Sequence, residues 1–222
     1  MFEASEIHIV DDVPGFIAGY VEAKLRRAVG ERDGASLVLA GGSTYRETYR
    51  FMAGEQLSWE NIEIFFGDER QVPLVDERSN YRAAAEILSG AWNADLVHIP
   101  DNLENYERAV ERYLGEHGQF DVCLLGMGSD GHTASLFPGN AVPEGLVASV
   151  KAGQEPFVPR LTLTPLAINR SHLVIVAATG HSKADIVRQI IDDTSTFPVS
   201  WIKPNGKKLL VLDPAAASNI SM

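Results

Sequence analysis

The feature that most constrains this chain is a rhythm of short, almost wholly apolar runs alternating with longer stretches of helical periodicity. The runs are Ser36–Ala40, Ile62–Phe66, Asp121–Leu125, His172–Ala178 and Lys208–Leu212. A strand that is apolar on both of its faces has to be covered on both, which is the condition of a parallel sheet with helices on either side. The stretches between supply the helices. Residues 14–29 open with Pro14, a good first-turn residue, and carry Phe16, Ile17, Tyr20, Val21, Leu25 and Val29 at helical spacing. A second helix is predicted from near Ser43, and a third over 80–89 with Ser79 as its cap. Leu103, Tyr106, Val110, Tyr113 and Leu114 mark one face of a fourth, and Ile186, Val187, Ile190 and Ile191 one face of a fifth over 181–192. Arg160–Thr164 reads as extended. The expected fold is α/β and Rossmann-like, a mostly parallel sheet flanked by helices. With 222 residues and no repeat or long linker, a single domain over 1–222 is expected, the Gly-, Pro- and Glu-rich stretch 139–157 being a loop.

Composition narrows the function classes. Nineteen Lys and Arg against 30 Asp and Glu give a net charge of −11, which argues against a general nucleic-acid surface. No apolar run approaches the roughly 20 residues of a membrane helix, and the opening MFEASEIHIV lacks the pattern of a secretory signal. The sequons at Asn169 and Asn219 therefore carry no weight, and a cytoplasmic location is expected. A single cysteine, Cys123, excludes an internal disulfide and sits in an apolar run as a small buried hydrophobe. An acidic protein that binds a small anion must gather a few cations and backbone amides at one place.

Five segments are candidates for that place, four of them directly after a predicted strand, where ligands of open α/β sheets bind. Gly41-Gly42-Ser43-Thr44 lets the backbone approach an anion at a helix N-terminus, though a plain turn capped by Ser43 would look the same. Gly67-Asp68-Glu69-Arg70 offers a planar, bidentate guanidinium in Arg70 beside Asp68, in what could also be a solvated surface cluster. Gly126-Met127-Gly128-Ser129-Asp130-Gly131-His132 brings amides to a strand end and sets His132 at its mouth. A histidine there can take a proton from water and return it to a leaving oxygen, and Asp130 could orient it, although residues i and i+2 can also diverge. Arg160-Leu161-Thr162-Leu163-Thr164 alternates, placing Arg160, Thr162 and Thr164 on one face, as a surface strand also would. Thr179-Gly180-His181-Ser182-Lys183 puts a lysine in a first helical turn, against the dipole, as happens where an anion is bound. His8, His98, His117, His172 and His181 have no comparable setting. No His or Cys cluster has metal-ligand spacing, so neither metal nor cofactor is expected.

Together the motifs LAGGST, FFGDERQVP with SNYR, LLGMGSDGHTASLFPG, PRLTLT and TGHSK resemble the 6-phosphogluconolactonase family, in its order and at similar spacing through most of the chain. That family shares its fold with glucosamine-6-phosphate deaminases and ribose-5-phosphate isomerases. Asp-Gly-His is also deaminase-like, but the continuation Thr133–Gly139 is lactonase-like. Tyr45 stands where the family commonly has proline. The resemblance implies that Ser43, Thr44, Arg70 and Lys183 hold a phosphate, with Arg160 near the ligand and His132 as catalytic base. Gly41, Gly42, Asp68 and Gly128 complete the expected site, and a phosphorylated sugar lactone is the expected partner of a monomer or small homo-oligomer. Two other readings share these motifs, an isomerase or deaminase of an amino-sugar phosphate and a non-catalytic phosphosugar sensor.

Overall fold

A computed structural model describes residues 6–54, 57–151, 157–192 and 197–220. The amino-terminal residues 1–5, residues 152–156 of the expected loop and Ser221 of the second sequon lie outside them.

The described chain builds strands β1 (Ile7–Ile9), β2 (Ala35–Leu39), β3 (Ile62–Phe66), β4 (Asp68–Arg70), β5 (Val122–Gly126), β6 (Val147–Val150), β7 (Arg160–Leu163), β8 (Leu173–Ala178) and β9 (Lys207–Leu212). The helices are α1 (Val13–Arg32), α2 (Ser43–Ala53), α3 (Asn80–Leu88), α4 (Leu103–His117), α5 (Pro165–Ile168) and α6 (Ala184–Ile191). Six strands form one parallel sheet in the order β1-β9-β8-β5-β2-β3. Its residues alternate between two separate cores. Leu37, Ile64, Leu124 and Ile175 meet α1, α2 and α3 on one face, while Val38, Phe65, Cys123 and Val176 meet α4 and α6 on the other. That double burial is what the apolar runs demanded.

Local chemistry sets the helix ends. Asp12 Oδ1 accepts from the Gly15 amide, and the left-handed Asp33 ends α1. Ser79 Oγ accepts from the Arg82 amide to begin α3, as its position in sequence predicted.

The second sheet is a departure from the sequence reading. β4, β7 and β6 pair antiparallel in that order, so the 139–157 stretch contains a strand and Asp68–Arg70 is not a loop. Arg160 through Leu163 are all buried, because β7 is the central strand of this small sheet rather than a surface one. Thr164, the last member of the expected alternation, caps α5.

Candidate active site

The parallel strands β2, β3, β5 and β8 end side by side, and a cavity of about 340 Å³ opens over those ends. It is lined by Gly41, Gly42, Ser43, Thr44, Asp68, Arg70, Gly128, His132, Arg160 and Lys183. The five expected segments therefore meet in one place, and Asp130 stands behind His132.

Each wall has a local cause. At the end of β2 the backbone turns through Gly42, whose φ of 104° few residues with a side chain adopt, and releases Ser43 into the first turn of α2. No side chain caps α2, so the amides of its first turn are left without a side-chain acceptor beside this corner of the cavity, the arrangement by which helix starts can hold an anion. Thr44 Oγ1 lies 3.1 Å from Thr179 Oγ1, which joins this corner to the loop after β8. In that loop the Asp213 carboxylate accepts from the Gly180 amide at 2.9 and 3.1 Å, fixing the approach to Lys183.

The small sheet makes the opposite wall. Strand alternation turns Asp68 and Arg70 toward the cavity and Glu69 away from it. The register sets Arg70 directly across from Arg160. Two guanidinium groups opposed in a ladder repel each other, so the pairing favours an anion between or beside them. Burial pulls the Arg160 guanidinium below its usual range, with Asp68 opposing and Arg70 reinforcing the effect. Burial likewise lowers Lys183, against the pull of the Asp130 carboxylate. Glu69, which sequence reasoning passed over, is the buried anchor of this wall. Its carboxylate accepts from the amides of Arg70, Asn80 and Tyr81 and from Ser79 Oγ, at 2.6 to 3.0 Å. Burial pushes its carboxyl up, while those four donors favour the anion at the start of α3.

The third wall is the turn after β5. His132 Nδ1 lies 2.6 Å from Asp130 Oδ1, and the His132 amide donates to the same oxygen at 3.2 Å. The two residues converge because the chain turns here instead of running extended. The Gly128 amide donates to His132 O and the Gly131 amide to Gly128 O, so both close the turn rather than point at a ligand. Thr133 Oγ1 donates to Gly126 O, tying the exit of the turn to the strand. Phe137 packs on the imidazole and lies under Arg160. With Nδ1–H committed to Asp130, Nε2 is the lone pair that the pair presents for chemistry.

Tyr45 also lines the cavity, from beneath. Its hydroxyl reaches Leu125 O at 2.8 Å and Ile175 O at 3.1 Å, bridging β5 and β8, and its ring stacks on Tyr49. The Tyr49 hydroxyl in turn bonds Ala40 at the end of β2. The remaining histidines have structural partners where they have any: His98 with Glu63, His181 with Ser218. Among the described residues no three His, Cys, Asp or Glu side chains come together as a metal-ligand set, and no helix is long and apolar enough to cross a membrane.

Residues 11–211 match the family of glucosamine-6-phosphate isomerases/6-phosphogluconolactonase. The chain belongs to that family. Among similar proteins is a 6-phosphogluconolactonase of Thermotoga maritima, 35% identical over 92% of this chain and 96% of the relative. A solved 6-phosphogluconolactonase from Trypanosoma cruzi superposes with a TM-score of 0.86 at 30% identity, covering 98% of this chain and 97% of the other. A monomeric glucosamine-6-phosphate deaminase superposes with a TM-score of 0.84 at 22% identity, over 97% of this chain and 100% of the other. At 22% identity the deaminase likeness is one of fold alone, whereas the relatives at 30–35% identity are named 6-phosphogluconolactonase.

Proposed function

We propose that this protein hydrolyses 6-phospho-D-glucono-1,5-lactone to 6-phospho-D-gluconate, with His132 as general base and no metal in the chemistry. The observation that carries the reading is the Asp130–His132 hydrogen bond in the same cavity as Arg70, Arg160, Lys183 and the uncapped start of α2. Relatives named 6-phosphogluconolactonase at 32–35% identity over most of the chain support it.

The phosphate dianion docks against the α2 start, Ser43, Thr44 and the cationic side chains. That remote binding energy holds the ring with C1 beside His132. Asp130 fixes the tautomer, so His132 Nε2 accepts a proton from water as the water oxygen attacks the carbonyl. Amides of the 126–131 turn, other than the Gly128 and Gly131 amides that close it, face the developing oxyanion. As the tetrahedral intermediate collapses, the C1–O bond to the ring oxygen breaks and the imidazolium returns its proton to that oxygen. Water has then been added across the ester. The lactone is an activated ester, and this sequence needs no Lewis acid.

The test is the decay of freshly prepared lactone with and without protein, corrected for spontaneous hydrolysis. His132→Ala should lower kcat by about 10²–10⁴ with substrate affinity little changed. Full kcat in that variant refutes the mechanism. Solvent deuterium appearing on a sugar carbon would instead indicate an isomerase or deaminase. A folded protein that binds 6-phosphogluconate without accelerating decay would be a sensor.

A further inference from the structure

Asp68 is a buried carboxylate in the cavity wall for which proton transfer in lactone hydrolysis has no use. Only 7% of its surface is exposed, and both its oxygens are engaged. Oδ2 accepts from Ser135 Oγ at 2.6 Å and has Arg160 Nη1 at 3.9 Å. Oδ1 accepts from Asn80 Nδ2 at 3.1 Å, and the same Nδ2 lies 2.9 Å from the Asp68 carbonyl.

Each partner leads to a different half of the site. Ser135 follows Ala134, whose φ of 48° is left-handed without being glycine, in the turn that leaves His132. A residue held there is strained and persists only where its surroundings over-determine it. Three contacts do so: the reciprocal Thr133–Leu136 amide bonds, the Ser135 amide on Thr162 Oγ1, and the Ser135 hydroxyl on Asp68. The last is charge-assisted and buried, the strongest kind of the three. Asn80 leads the other way. Its side chain packs so closely on Gly41 that a Cβ there would lie 2.2 Å from Asn80 Oδ1. Gly41 opens the anion-binding corner.

We infer that Asp68 is a positioning residue that locks the two halves of the cavity to one anchor, placing His132 through Ser135 and the Gly41 backbone through Asn80. The inference rests on the hydrolytic reading of the site and adds a division of labour to it. Ser135 serves the chemical step, Asn80 serves the grip on phosphate, and Asp68 serves both.

The experiment is a set of three single variants and one double, assayed for lactone hydrolysis and for thermal stability. Displacement of a catalytic group by about 1 Å can cost about a hundredfold. Ser135→Ala should therefore lower kcat by about ten- to a hundredfold with KM within about twofold. Asn80→Ala should raise KM by about tenfold with kcat near wild type, and Asp68→Ala, which removes both acceptor oxygens, should do both. In the double variant Ser135→Ala with Asp68→Ala, kcat should fall no further than in Ser135→Ala alone, because both changes break one contact. A merely structural role would lower Tm and active fraction together, without that split and with additive losses. Independent, multiplying effects of Ser135→Ala and Asp68→Ala on kcat would overturn the inference, as would Ser135→Ala with wild-type kcat. An inactive wild-type protein would instead overturn the hydrolytic reading beneath it.

Discussion

Gly128→Ala is the sharpest probe of the site, since it adds one methyl group and removes no functional atom. Gly128 has no left-handed requirement, so its backbone accepts alanine; the obstacle is space. A Cβ there would lie 2.1 Å from His132 Nδ1, 2.3 Å from its Cε1 and 2.4 Å from Asp130 Oδ1, where ordinary contact begins near 3.4 Å. The imidazole must retreat by more than 1 Å, or its hydrogen bond to Asp130 must break. A misplacement of about 1 Å costs about a hundredfold in rate, or about 2.7 kcal/mol of transition-state stabilisation. The expected result is kcat for lactone hydrolysis down about a hundredfold, with KM and Tm close to wild type, since the phosphate corner lies on other segments. Gly30→Ala is the control. A Cβ at this exposed position in α1 meets nothing within 4 Å, so the substitution should leave kcat alone and add about 0.5–1 kcal/mol of stability. Wild-type kcat in Gly128→Ala would refute the claim that the chemistry depends on how closely Asp130 holds His132.

Other outcomes follow from the cations and the buried acid. Lys183→Ala should weaken 6-phosphogluconate binding while sparing an unphosphorylated lactone, and equal losses for both would remove Lys183 from the phosphate site. Because burial lowers the Lys183 ammonium, its charge is lost at a lower pH than that of an exposed lysine. Calorimetric affinity for 6-phosphogluconate should therefore begin to fall at a lower pH in wild type than in Lys183→Arg, whose guanidinium stays charged. Glu69→Gln replaces a four-fold acceptor by a group with its own donor, and should cost about 3 kcal/mol in denaturant unfolding. For a chain of this size that is a Tm fall of about 6–12 °C, and an unchanged Tm would mean that the carboxylate does not anchor α3.

The sequence was explicit wherever burial imposed a pattern. β3 occupies the predicted residues, and β2, β5, β8 and β9 fall within one residue of theirs, because a strand buried on both faces is dominated by apolar side chains. The strand-end segments were legible for a related reason: glycines and charged residues cluster where the chain leaves β2, β3, β5 and β8. β1, β4 and β6 were not legible. Three or four residues carry too little periodicity to read, and β4 is Asp-Glu-Arg, a composition that normally marks a solvated turn. Its strand conformation comes from pairing with a segment far along the chain, which no local window contains. The same holds for the site. His132 and its neighbours could be read in order, but the opposition of Arg70 to Arg160 and the bond from Asp68 to Ser135 exist only in the folded register. Tyr45 reads as a substitution in a familiar motif; in space it is the bolt between β5 and β8.

The strand order also governs how this protein can be made. Ile7 of β1 has its ladder partner in Leu210 of β9, so among the described strands the earliest made waits for the latest before it can pair. β2, β3 and β5 can assemble on one another meanwhile, covered by α1 to α4. Until β8 and β9 arrive, the flank of β5 is an open apolar edge, and such edges recruit other chains. Before β7 and the segment after β8 are made, the cavity is only half walled, lacking Arg160 and Lys183. The cavity is consequently completed only after β8 is made, and a chain stalled before that exposes the flank of β5 to aggregation.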